Sequence, residues 1–328
     1  GSTAFRAHQS QPDATELISG LLEAVEPENV KLLYETPATA LLTAEDGSVT
    51  GATAVDAEGR TLTVHAKSVI IASGGFGGSP EMLEKYWGEK YARMTYAGSP
   101  GTTGEMIEAA AALGAKLTDM EEAAYGSPTV EVEKNQLAPA MVLSGGAILT
   151  NGGGERFCNE TGNPYETAAS VVGTGEPCVY EVFDSQVFEK VYKCSIYKNM
   201  GILMEADTLE ELADKAGLPI EALLKTVEDY NAAVGGAEDP YGRTIFTTKM
   251  DTPPYYCVKV AAGGVMTFGG LTIDESCRVL KEDGTAIGGL YAAGEATGGY
   301  RAYGYVCGDA NIHAAVTGRT AGEAAAQN

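Results

Sequence analysis

The residues best placed to do chemistry lie in the run GGLYAAGEATGGYRAYGYVCGDANIHAAVTGRTAG, residues 288–322. It reads as a strand over 290–293 ending in Gly294-Glu295, then a glycine-rich loop, then a helix opening at Asp309. A strand that ends in glycines and feeds a helix N-terminus sets backbone N–H groups and the positive end of a dipole against an anionic or electron-rich ligand. Small residues along the helix (Ala310, Ala314, Ala315, Gly318, Ala321, Gly322) would let it lie against something flat. A tightly packed C-terminal helix with no ligand would use similar glycines as plain turn punctuation. The elements around the run decide between the two.

Those elements belong to a chain of 328 residues, longer than one ordinary domain and able to bury a substantial core. With 44% hydrophobic and 20% charged residues it is globular. A formal net charge of -23 argues against nucleic acid or an anionic membrane surface as partner, since both need clustered Lys and Arg. No apolar run approaches the ~20 residues needed to span a bilayer. The six cysteines (Cys158, Cys178, Cys194, Cys257, Cys277, Cys307) form no CxxC pair, so neither a disulfide scaffold nor a zinc ribbon is indicated. The three histidines, His8, His65 and His313, have no second metal ligand nearby in sequence, and no metal site is expected. No secretory signal is visible, which leaves cytoplasmic and exported locations both open.

Along the chain, a helix over Thr15–Val25 leads to an expected strand at 30–34. Three alternating runs follow at 38–44, 49–56 and 61–66, joined by Asp46-Gly47 and Glu58-Gly59, as in a small antiparallel meander. The continuous apolar run 68–72 ends in SGGFGG and reads as a fully buried, parallel-type strand with a ligand-approach loop behind it. Helices are expected at 81–89 and, after a second glycine-rich approach at 98–104, at 105–113. The middle of the chain differs, with irregular strands, an acidic helix pair (Leu209–Ala216 and 219–234) and a loop-rich stretch at 239–254. The expected fold class is α+β: a Rossmann-like α/β domain in two parts, 1–128 and 256–328, interrupted by an inserted α+β capping module at 129–255.

In order, the chain carries the meander, VIIASGGFGG, SPGTTGEMIEAAAALGAKL, GGAILTNGGGERFCNE, GGLTID and GGLYAAGEATGG…GDANI…GRTAGEAA. Nearly end to end, this series resembles the FAD-dependent fumarate reductase and succinate dehydrogenase flavoproteins, especially the soluble flavocytochrome-like branch. The resemblance implies FAD as cofactor. It implies Glu295 on the ribityl or ribose hydroxyls, and the N–H groups of Ala310 and Asn311, behind Asp309 at the helix start, on the flavin N1/O2 edge. Ser73, Gly74 and Gly75 would line the cofactor, and Thr39 on the meander would lie by the adenine. Members of the family open on a βαβ unit bearing GxGxxG, which holds the FAD pyrophosphate. This chain carries no such motif; it reads as a fragment that begins after it, expected to bind FAD weakly or not at all alone.

The sequence departs from the family where the substrate sits. Fumarate reductases clamp two carboxylates with arginines and histidines, since charge-assisted bidentate bonds suit that substrate. Here Tyr305 stands for one such arginine and Met266 for a histidine, a Thr-Glu pair falls at Pro139 and Ala140, and the catalytic arginine falls within 162–166. Fumarate is therefore not the expected substrate. The spacing Tyr305-x-x-Gly308-x-Ala310 resembles instead the flavin-dependent 3-ketosteroid dehydrogenases, in which a tyrosine works beside the substrate carbonyl. A phenol, protonated at neutral pH, can hydrogen-bond a ketone oxygen or deliver a proton to carbon. Tyr305 and Tyr165 are the candidate proton donors, and Arg301, where the family has a histidine, is a candidate pocket cation.

The expected activity is an FAD-dependent ene-reductase passing hydride to an electron-poor C=C of an enone or aryl acrylate. Its partners would be that small-molecule substrate and an unidentified electron donor. The alternatives are a ketosteroid-type dehydrogenase running the same chemistry backwards, and a non-catalytic fragment serving as scaffold.

Overall fold

In the computed structural model, residues 15–25, 30–92, 95–121, 130–131, 136–137, 143, 145–299 and 309–328 are described. The chain divides into two compact units, one of residues 1–75, 104–120 and 268–328, the other of 76–103 and 121–267.

In the first unit, strands Ala38–Thr43, Val49–Val55 and Thr61–His65 form the antiparallel meander. Its first turn is set by Asp46, whose carboxylate accepts from both the N–H and the hydroxyl of Ser48, with Gly47 at φ 81°. Asp56 organises the second turn in the same way, accepting from the N–H groups of Glu58 and Arg60, with Gly59 at φ 77°. A second sheet runs in the order Arg278–Leu280, Ala286–Ala292, Val69–Ile71, and the last two strands are parallel. Helix Asp309–Ala325 covers this sheet, and Ala321 packs with Cys277, Tyr291 and Ala293.

Two expectations fail in this unit. Residues 30–34 form no strand. Val69–Ile71 is parallel, as its apolar run indicates, but not fully buried, because Ile70 is 39% exposed. On the last helix Ala314, Ala315, Gly318 and Gly322 are exposed, while Thr317 and Ala321 are buried.

The second unit is built on a six-stranded sheet, with Tyr255–Ala261 paired to Val179–Asp184 on one side and to Val130–Glu131 and Met204–Ala206 on the other. The sequence reading begins the flanking domain at residue 256, yet this strand lies inside the sheet of the second unit. Each sheet face carries its own apolar cluster. One includes Leu149, Val179, Phe183 and Val258, the other Ile148, Val182, Leu212, Leu223 and Tyr230. Helix Leu209–Ala216 starts where Thr208 Oγ1 accepts from the N–H of Glu211, and stops at Gly217 with φ 74°. Helix Ile220–Val234 then buries Leu223, Val227 and Tyr230, spaced to share one face.

Glu181 sits in the apolar face between Val179 and Phe183, fully buried, and neither carboxyl oxygen has a hydrogen-bond partner. Burial pushes its carboxyl pKa up to about 8. The folded chain then keeps a proton that the unfolded chain releases near pH 4–5, so stability is lost as pH rises from that range toward 8. Glu181→Gln is expected to raise the thermal midpoint, and by more at pH 8.5 than at pH 5. An equal shift at both pH values in thermal unfolding would show that Glu181 titrates normally.

Candidate cofactor site

The parallel pair brings two strand ends together. Leu290, Tyr291 and Ala292 register with Val69, Ile70 and Ile71, and the N–H of Ala293 donates to Ile71 O at 2.9 Å. Beyond one end run Ser73, Gly74 (φ 78°) and Gly75; beyond the other, Gly294 (φ 64°) opens the 3₁₀ turn Gly294–Ala296. The carboxyl ends of parallel strands are where open α/β sheets bind ligands.

The turn is held by helix Asp309–Ala325. The N–H of Gly294 donates to Thr317 Oγ1 at 2.9 Å, and that hydroxyl donates to His313 O at 2.6 Å. Thr297 Oγ1 donates to Gly294 O at 2.7 Å and lies 2.7 Å from His313 Nε2. Burial lowers the His313 pKa below its ordinary value, opposed by a hydrogen bond to the Gly294 backbone. On the far side the loop packs backbone against backbone. A Cβ on Gly298 would stand 2.4 Å from Thr118 O, and one on Gly270 the same distance from Ala296 O. Gly299 N–H donates to Asp119 Oδ2 at 2.9 Å, with Asp119 itself at φ 58°. Many glycines of this motif are thus there for close backbone approach.

Of the residues expected to touch cofactor, Ser73, Gly74, Gly75 and Glu295 lie at the two adjacent strand ends, and Asp309, Ala310 and Asn311 open the helix packed on the turn. Glu295 is half-buried; Ser73, Asp309 and Asn311 are exposed. Thr39 is on the meander, a different sheet, exposed, with its hydroxyl 3.0 Å from that of Thr53. Tyr305 and Arg301 lie outside the described residues. Tyr165 is the second residue of helix Pro164–Gly173 in the other unit. The sequence reading missed His313, Thr297 and Thr317. The i, i+4 spacing of His313 and Thr317 was visible, but nothing in sequence ties either to a turn near residue 294.

A buried ion network precedes helix Pro164–Gly173 in the chain. Glu160 accepts from Arg156 Nε at 2.8 Å and Nη2 at 2.9 Å, from Arg243 Nη1 at 3.1 Å, and from the N–H of Leu149 at 3.2 Å. Arg156 also pairs with Asp239. Burial opposes the charge on Arg156, yet its hydrogen bonds to Glu160 and Asp239 outweigh it and raise its pKa. The next residue back, Asn159, accepts from the N–H and hydroxyl of Thr161 and donates to Gly242 O.

Among the described residues, no group of His, Cys, Asp or Glu could hold a metal ion, and no helix is long and apolar enough to cross a membrane. The donor set suits FAD. Two glycine turns with positive φ let backbone approach a flat group, a carboxylate is available for hydroxyls, and a helix start is available for an electron-rich edge.

Comparison with known proteins agrees. The chain is 33% identical over 337 residues to the NADH:acrylate oxidoreductase of Vibrio harveyi, covering 99% of this chain and 33% of that protein. It superposes on the open conformation of a flavocytochrome c3 fumarate reductase with TM-score 0.90 and 31% identity, over 98% of this chain and 57% of that one. A 3-ketosteroid delta1-dehydrogenase from Sterolibacterium denitrificans, in complex with 1,4-androstadiene-3,17-dione, matches with TM-score 0.71 and 26% identity, over 94% of this chain and 62% of that one. The chain thus spans between 33% and 62% of the length of these relatives. Residues 2–310 match the FAD binding domain family, and the chain, with its paired strand ends and the helix that braces them, belongs to that family.

Proposed function

We propose that the protein carrying this chain is an FAD-dependent ene-reductase for an electron-poor C=C outside the dicarboxylates, of enone or aryl acrylate type. What carries this reading is the resemblance, which implies that Tyr305, Met266, Pro139 and Ala140 stand where fumarate reductases have polar or charged groups. The likeness to an acrylate oxidoreductase supports it.

FAD, when bound, supplies a hydride equivalent to the substrate carbon. The chain's own residues do the rest. Glu295 would hold cofactor hydroxyls, and the N–H groups of Ala310 and Asn311 would stabilise negative charge on the cofactor. Ser73, Gly74 and Gly75 line the cofactor, with Thr39 toward the adenine. Tyr305 or Tyr165 delivers the proton to the neighbouring carbon, and Arg301 supplies positive charge beside the substrate. Residues 129–255 serve as the cap that excludes water. An external donor, not identified by this chain, would supply the electrons.

The second reading, a dehydrogenase acting on a saturated ketone, is favoured by the ketosteroid dehydrogenase match and the Tyr305-x-x-Gly308 spacing. Anaerobic reoxidation of the reduced full-length protein by fumarate, a conjugated ketone and an aryl acrylate tests the first reading. Fast reoxidation by the ketone or the acrylate is the expected result, and fast reoxidation by fumarate alone would overturn it.

A further inference from the structure

His313 is the one histidine within the bonded set that holds the strand-end turn. The Thr297 side chain is fully buried, and its hydroxyl lies 2.7 Å from Gly294 O, to which it can donate. With that proton on Gly294 O, its oxygen accepts from His313 Nε2 at 2.7 Å, the arrangement in which the ring N–H is on Nε2. Four residues on, Thr317 ties the same turn by receiving the N–H of Gly294 and donating to His313 O. Both ties converge on Gly294, one residue before Glu295, at a φ of 64°.

We propose that His313 is a positioning residue of the FAD site, whose neutral imidazole holds Thr297 and thereby fixes the Gly294–Ala296 turn in the shape that presents Glu295 to the cofactor. This rests on Glu295 contacting FAD. Protonation adds a charge in a half-buried place, and burial already disfavours it. A histidine whose pKa is lowered in the ordered state weakens that state as pH falls through about 6.5, the unperturbed value. Among the described residues, the charged groups on the surrounding elements are Glu295 on the turn, Asp309 one helical turn earlier, and Asp119 on the turn that holds Gly299. A variant that keeps the hydrogen bond and removes only the imidazole separates His313 from these carboxylates.

The test measures the FAD dissociation constant of the full-length protein, stripped of FAD and titrated with it, by flavin fluorescence at pH 7.5 and pH 5.8. His313→Leu is expected to weaken binding about three- to tenfold at pH 7.5, the size of one lost hydrogen bond. His313→Gln, which can still donate to Thr297, is expected to bind within about twofold of the native protein at pH 7.5. It is also expected to lose the weakening that the native protein shows at pH 5.8. The proposal is overturned if His313→Leu binds FAD as the native protein does, or if His313→Gln keeps the full pH dependence. Glu295→Ala is the separate arm. Unchanged affinity there removes the Glu295 contact on which the proposal rests; weakened affinity there, with His313→Leu unchanged, removes the role of His313 alone.

Discussion

Arg243→Met is expected to lower the stability of the second unit by about 3–5 kcal/mol, the usual cost of stripping one partner from a buried ionic network. The Arg243 side chain is fully buried. It donates to Glu160 Oε2 at 3.1 Å, Ala147 O at 2.9 Å, Leu143 O at 3.1 Å and Ile245 O at 3.0 Å. It also lies over the rings of Tyr230 and Phe246, at 5.1 and 5.5 Å. Methionine fills the space but leaves the carbonyls unpaired and Glu160 one cation short. In a unit of this size that corresponds to a fall of on the order of 10 °C in the thermal midpoint. Arg60→Ala is the control: that arginine pairs with Asp56 on the surface, its side chain 71% exposed, and about 0–1 kcal/mol is expected. Equal small effects from the two substitutions in thermal unfolding would contradict the account of the network.

Tyr305→Phe is expected to slow C=C reduction by about 10²–10⁴-fold in single turnover, the usual contribution of a positioned general acid. The substitution removes one oxygen and keeps the ring, so FAD content and substrate binding should change little. The loss belongs in the chemical step rather than in KM. Tyr165→Phe, read alongside, separates the two candidate donors. A large loss at Tyr165 with Tyr305→Phe near native would move the role to residue 165. Both phenylalanine variants staying within about threefold of native would remove tyrosine as proton donor.

Much of the frame was legible because local chemistry dictated it. Asp-Gly and Glu-Gly turns fixed the meander, and Thr208 with Gly217 bounded one helix. The sequence that resembles the FAD flavoproteins also marked the two strand ends that the structure sets side by side. What escaped depended on partners far apart in the chain. Arg156 and Glu160 are four residues apart and could be paired on sight, but Arg243 joins them from 83 residues beyond Glu160. His313 and Thr297 meet only because a helix lies down on a turn 16 residues earlier. Hydrophobicity alone placed Ile70 inside and gave no hint that Glu181 would be buried without a partner. Tyr255–Ala261 alternates like any strand, and only its pairing shows which sheet it joins.

The most direct test of the central claim is stopped-flow reoxidation of the anaerobically reduced full-length protein, comparing an aryl acrylate or conjugated ketone with fumarate at equal concentration. A pocket without carboxylate clamps, as proposed, should favour the less charged substrate by about 10²-fold or more, the worth of roughly one charge-assisted pair. Reoxidation by fumarate as fast as by the enone and the acrylate would contradict it.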